Sequence, residues 1–116
     1  MSDALRYAVL HHTGVDAPHY DLLVETAAGS PLMTYRVDRW PMETGAVLVE
    51  RLADHRRIYL DYEGPISGNR GSVRRVAQGT CRLHLRGDRM VLHLDTGAQL
   101  ELSGPPPADP GDAAGA

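Results

Sequence analysis

Apolar and polar positions alternate along this chain in a succession of short segments. Arg6–Leu10, His19–Thr26, Leu32–Val37, Ala46–Glu50, Arg57–Tyr62, Ser72–Val76, Cys81–Arg86, Met90–Asp95 and Gln99–Leu102 are rich in Val, Leu, Ile or Tyr and bounded by Gly, Pro, Asp or Asn. Gly87-Asp88 and Thr96-Gly97 have the composition of tight hairpin turns. No segment keeps a helical period over ten residues, apart from one weak turn near Val47–His55. Many short strands with frequent turns predict an all-β, mainly antiparallel fold: a small compact β-barrel with at most a short helical turn.

Phenylalanine is absent, so the core has to be built from Leu, Val, Tyr and the single tryptophan, Trp40. Cys81 is the only cysteine, which excludes an internal disulfide and any multi-cysteine zinc site. It opens the alternating run Cys81, Leu83, Leu85 and reads as a small core residue. The length of 116 residues suits one domain, expected over residues 1–103. From Gly104 the Pro, Gly, Ala and Asp composition cannot build a packed element, so residues 104–116 are expected to be a disordered tail. No apolar run approaches the length of a membrane span, and the N-terminus lacks a basic region followed by an apolar one. The expectation is a cytoplasmic protein that does not engage a membrane.

The net charge of −3 argues against a nucleic-acid partner, but its distribution does not. All twelve basic residues are arginine; nine lie between Arg51 and Arg89 against four acids, a local charge of +5. Such a stretch can hold a phosphodiester backbone, since the planar guanidinium fork suits phosphate oxygens. Arg82, His84 and Arg86 alternate onto one face of their segment and make it basic.

The chemistry concentrates at His19-Tyr20-Asp21. On a strand, alternate side chains share a face, so His19 and Asp21 lie side by side about 6–7 Å apart along the strand, and Tyr20 points to the other side. An imidazole and a carboxylate on one rigid strand, joined by an imidazole from His11 or His12 just upstream, can hold a divalent metal and leave coordination positions open.

The same residues carry a resemblance. His12, then Pro18-His19-Tyr20-Asp21-Leu22-Leu23-Val24-Glu25, resembles the N-terminal signature of the 3′-phosphoesterase domain of bacterial DNA ligase D, roughly H-x5-H-Y-D-[FL]-R-[LW]-E. Asp54-His55-Arg56-Arg57-Ile58-Tyr59-Leu60-Asp61-Tyr62-Glu63-Gly64 resembles its second signature, D-H-P-x-x-Y-x-x-F-E-G. Ile66, Gly68, Asn69, Gly71, Val73 and Gly79-Thr80 follow its glycine-rich continuation, so the likeness covers most of residues 5–103.

The resemblance implies a barrel, with Mn²⁺ (Zn²⁺ or another divalent ion being the alternatives) on His12, His19 and Asp21. One extra residue before His19 leaves His11 open as the first ligand, although Tyr7-Ala8-Val9-Leu10 aligns better with His12. It also implies that His55 and Tyr59 contact the reacting phosphate. One departure stands out: the family's phosphate-binding arginine is Leu23 here. Arg36, Arg39, Arg70, Arg82 and Arg86 are candidates to replace it, and restoring an arginine at position 23 is expected to raise turnover. The implied function is a metal-dependent phosphoesterase that removes a 3′-phosphate or 3′-terminal ribonucleotide from DNA ends before non-homologous end joining, with a repair ligase or polymerase acting in trans. Two alternatives remain at this point: a catalytically impaired module of the same fold that binds DNA ends or a repair complex, and a metal-dependent esterase for a small phosphorylated molecule.

Overall fold

The alternating segments assemble into one sheet. The computed structural model describes residues 4–87 and 89–104; Asp88 of the expected Gly87-Asp88 turn and residues 105–116 of the expected tail lie outside them. The strands are β1 (Leu5–Thr13), β2 (His19–Glu25), β3 (Leu32–Val37), β4 (Val47–Leu48), β5 (Glu50–His55), β6 (Gly64–Pro65), β7 (Ser72–Arg86), β8 (Arg89–Leu94) and β9 (Gln99–Leu102). Their order is β4-β9-β8-β7-β1-β2-β3-β5, with β6 also beside β7. All neighbours are antiparallel except β4 and β9.

β4 and β5 stand at opposite ends of this order, yet only Val49 separates them in the chain. The sheet must therefore curl until its two ends approach each other, which gives the barrel-like, nearly all-β architecture that the alternation predicts. Bonds from Ser103 fasten the closure: its backbone N–H donates to the Leu48 carbonyl at 2.9 Å, and its own carbonyl accepts from the Tyr35 hydroxyl. Among the described residues no helix is long and apolar enough to cross a membrane.

Three elements depart from the sequence reading. Ser72–Val76 and Cys81–Arg86 are parts of one fifteen-residue strand, β7, which Gly79 does not interrupt. A register shift opposite Val9 and Leu10 moves β7 residues from one face of β1 to the other on either side of Val76. Arg57–Leu60, expected as a strand, is a 3₁₀ turn. Its β-favouring residues are overridden by tertiary contacts: Leu60 is fully buried, and Arg57 reaches the buried carboxylate of Glu25 at 2.7 Å. Finally, the weak helical turn near Val47–His55 is instead β4 and β5; β5 is held by its backbone pairing with β3 rather than by burial.

Two apolar clusters lie on opposite faces of β1–β3. The main one fills the curl with Tyr7, Val9, Leu22, Val24, Met33, Tyr35, Cys81, Leu92, Leu100 and others, and Trp40 and Tyr20 pack against it. The second consists of Ala8, Leu10, Leu23, Leu32, Leu60 and Val73 on the outer face. The segment from the 3₁₀ turn to β7 covers that face through Leu60, Tyr59, Tyr62 and Ile66. A fully buried leucine contributes about 1.5–3 kcal/mol, enough for this cluster to fix the covering segment. The rim of the second cluster is where the chemistry-bearing residues meet.

Candidate metal centre and adjoining cavity

The β1–β2 hairpin sets the geometry. His12 pairs directly with His19, and Leu10 with Asp21, so the side chains of His12, His19 and Asp21 leave the same outer face. Their ligand atoms all lie within 4.8 Å of one another. His19 Nε2 is 3.2 Å from Asp21 Oδ1, and His12 Nδ1 is 3.8 Å from Asp21 Oδ2. His11 is excluded from this group by the alternation: it faces the other way and stacks on Tyr20, ring centroids 4.5 Å apart. Tyr20 thus points away from the ligand face, as expected.

Backbone carbonyls fix both imidazole tautomers. His12 Nε2 is 2.7 Å from the Arg70 carbonyl, and His19 Nδ1 is 2.8 Å from the Ala17 carbonyl. A carbonyl only accepts, so these two nitrogens carry the protons and donate. In the neutral rings the remaining nitrogens, His12 Nδ1 and His19 Nε2, present lone pairs, and these are the atoms that face Asp21. Lone pairs converging on a carboxylate repel one another unless a cation lies between them. The Asp21 carboxylate is buried, and its Oδ1 has no hydrogen-bond partner. An unpartnered buried carboxylate oxygen is costly, and a metal ion there would satisfy it. The donor set of two imidazoles and one carboxylate, with each imidazole held from behind by a carbonyl, fits a divalent ion with open coordination positions. The three residues can hold a metal ion.

The position of Arg70 depends on Gly71. Gly71 has φ +78°, and a Cβ on it would collide with the Thr13 carbonyl at the end of β1. Only glycine allows the covering segment to come this close to β1 and deliver the Arg70 carbonyl to His12.

A cavity of about 430 Å³ opens beside the triad, lined by His12, Asp21, Asp54, His55, Arg56, Tyr59, Arg70 and apolar side chains. The two second-signature residues therefore face the same space as two of the triad. His55 ends β5 and Tyr59 sits in the 3₁₀ turn; their rings meet edge to face at 5.8 Å. His55 Nδ1 donates to the Ala53 carbonyl at 3.0 Å, which leaves Nε2 as the ring nitrogen open to a ligand.

The candidate arginines divide. Arg70 lines the cavity, with its guanidinium on Ser67: Nε donates to the carbonyl at 2.7 Å. Arg39 instead lines a separate groove with Arg36, Met42, Val47 and Val49, and Arg36 is paired with Glu50 at 3.2 Å. Arg82 and Arg86 are exposed on the far half of β7, opposite His93 and Arg89. Arg82 is nine positions beyond Val73, the partner of His12, or roughly 25–30 Å along the strand. Arg39, Arg82 and Arg86 are not brought to the triad; Arg36 stands opposite Asp21 in the β2–β3 register, with its guanidinium on Glu50.

Leu23 shares the face of Asp21 but does not line the cavity. It is completely buried in the second cluster with Leu10, Leu32, Leu60 and Val73, and an arginine there would have to disrupt that packing. The expectation that restoring the arginine raises turnover presupposes that position 23 is open to the pocket, and Leu23 is not. Sequence reading missed Arg56, which lines the cavity between His55 and Tyr59. The signal was present in its position next to His55 and three residues before Tyr59, over whose ring its guanidinium lies at 6.0 Å.

Two buried groups outside the cavity are held protonated. Burial, with Glu25 and Asp95 nearby, pushes the Cys81 thiol up to about 12, which makes it a core residue rather than a nucleophile. Burial and the Asp95 carboxylate, which accepts from its hydroxyl at 3.2 Å, raise Tyr7 to about 12.

Neither the models of known protein families nor the curated proteins yield a match to this chain.

Proposed function

We propose that this chain is a Mn²⁺-dependent phosphoesterase acting on the 3′ ends of DNA, removing a 3′-phosphate or a terminal ribonucleotide. The observation that carries this reading is the convergence of two imidazoles on the buried carboxylate of Asp21, His19 on the unpartnered Oδ1 and His12 on Oδ2, at the wall of a cavity shared with His55, Tyr59 and two arginines. The resemblance of the two signatures supplies the DNA end as substrate. The basic stretch from Arg51 to Arg89 is in keeping with it.

When bound, the divalent ion supplies Lewis-acid charge beside a phosphate oxygen. His12, His19 and Asp21 would hold it, with the Arg70 and Ala17 carbonyls fixing the imidazoles. His55, whose Nε2 is free to take or give a proton, serves as acid or base at a substrate oxygen. Tyr59 can donate a hydrogen bond to the phosphate. Leu10, Ile66 and Val73 give the cavity a dry side, where each of these polar contacts counts for more than in water.

The burial of Leu23 favours a second reading, in which the module holds metal and DNA ends without turnover. A 3′-phosphate-ended primer-template separates the two. Mn²⁺-dependent phosphate release that falls 100-fold or more in His55→Ala supports the enzyme. Metal-dependent end binding without release supports the binding module, and neither binding nor release refutes both.

A further inference from the structure

We infer that Arg56 is the anion-binding cation of this cavity, and that the site is built for a terminal phosphate dianion. This rests on the metal reading above. Leu23 is sealed in the second cluster, and Arg36, opposite Asp21 on β3, is paired with Glu50 and does not line the cavity, which leaves the covering segment to supply the cation. Arg56 and Arg70 are the arginines on the cavity wall.

Their circumstances differ. Arg70 is braced by Ser67 through Nε and, at 3.4 Å, through a terminal nitrogen to the hydroxyl, while its backbone holds His12. Its role is to position a ligand of the metal. The Arg56 side chain is exposed and has no carboxylate or carbonyl partner among the described residues; its guanidinium lies over the face of Tyr59. That contact pre-orients a planar fork without occupying its hydrogen bonds.

The local charge then selects the ligand. A divalent ion on Asp21 and two neutral imidazoles leaves one positive charge, and Arg56 and Arg70 add two. Asp54 faces Arg51 at 3.9 Å, which offsets its own charge. A cavity with this surplus, a planar donor fork and a metal edge suits a small oxyanion with two negative charges better than a diester with one. A monoester at a chain end fits; the middle of a strand does not.

The test is titration of inorganic phosphate into the Mn²⁺-loaded full chain, with Mn²⁺ affinity measured separately for each variant. Arg56→Ala is expected to weaken phosphate binding tenfold or more with Mn²⁺ affinity unchanged. Arg56→Lys should recover part of it, and methyl phosphate should bind more tightly than dimethyl phosphate. Phosphate binding that is equal in wild type and Arg56→Ala overturns the assignment while leaving the metal site intact. Equal binding of the mono- and dimethyl esters overturns the choice of ligand. Absence of Mn²⁺ binding in wild type removes instead the metal reading on which the inference rests.

Discussion

Replacing Leu23 by arginine puts the relation between the outer apolar cluster and the cavity to a direct test. The side chain is fully buried among Ala8, Leu10, Leu32, Leu60 and Val73. Truncation to alanine is expected to cost about 2–5 kcal/mol through lost transfer energy and the void left behind. Arginine loses the same apolar contacts and adds a charge with no partner in the cluster, a penalty of several kcal/mol. Against the 5–15 kcal/mol typical of a small domain, Leu23→Arg should lower stability by at least about 3 kcal/mol.

The nearest relief for that charge is Asp21, two residues along the same face, where the guanidinium would compete with the metal. Metal affinity should therefore fall tenfold or more and turnover should not rise. Urea unfolding followed by circular dichroism, with a Mn²⁺ titration of the folded variant, measures both effects. Leu23→Met, which keeps the volume, is the control and should cost less than about 1.5 kcal/mol. A Leu23→Arg protein within 1 kcal/mol of wild type and with higher turnover would refute the placement of Leu23 under the covering segment.

Two further predictions test other parts of the structure. Gly71→Ala should weaken metal binding, because the new methyl group forces the Arg70 carbonyl away from His12; unchanged Mn²⁺ affinity would show that this carbonyl does not set the imidazole. For Cys81 and Tyr7, folded-state values raised to about 12 mean that the unfolded chain releases its protons first as pH rises. Their contribution to stability is complete below the unfolded values of 9.0 and 10.0 and is lost between there and about 12. Denaturant midpoints should fall over that range, less so in Cys81→Ala measured against its own neutral-pH value, and the native thiol should resist a thiol-specific reagent at neutral pH.

Much of the fold was legible because strand alternation is a local signal. β3 and β9 have the bounds that alternation predicts, and the pairing of His19 with Asp21 on one face follows from period two alone. What was not legible depended on distant partners. β7 is continuous through Gly79 because its backbone pairs with β1 there, and the glycine makes room for the Asp95 carboxylate, which no local pattern reveals. Arg57–Leu60 has strand composition but turns because Leu60 and Arg57 are tied to the outer face of β1–β3. Existence of that second cluster also decides the site: it buries Leu23 and brings Arg56 to the cavity. The choice of His12 over His11 needed the register of the β1–β2 hairpin, which the sequence around Gly14 leaves open.

The most direct measurement is calorimetric titration of Mn²⁺ and Zn²⁺ into wild type, His12→Ala, His19→Ala and Asp21→Asn, alongside the stability of each metal-free protein. Wild type should take up one ion per chain, and each substitution should abolish or sharply weaken uptake while the fold persists. Asp21→Asn should, in addition, raise metal-free stability by about 1 kcal/mol, since an amide can donate to the His19 lone pair where the carboxylate cannot. Metal uptake equal in wild type and all three variants, or metal-free Asp21→Asn markedly less stable than wild type, would contradict a site built around a cation at His12, His19 and Asp21.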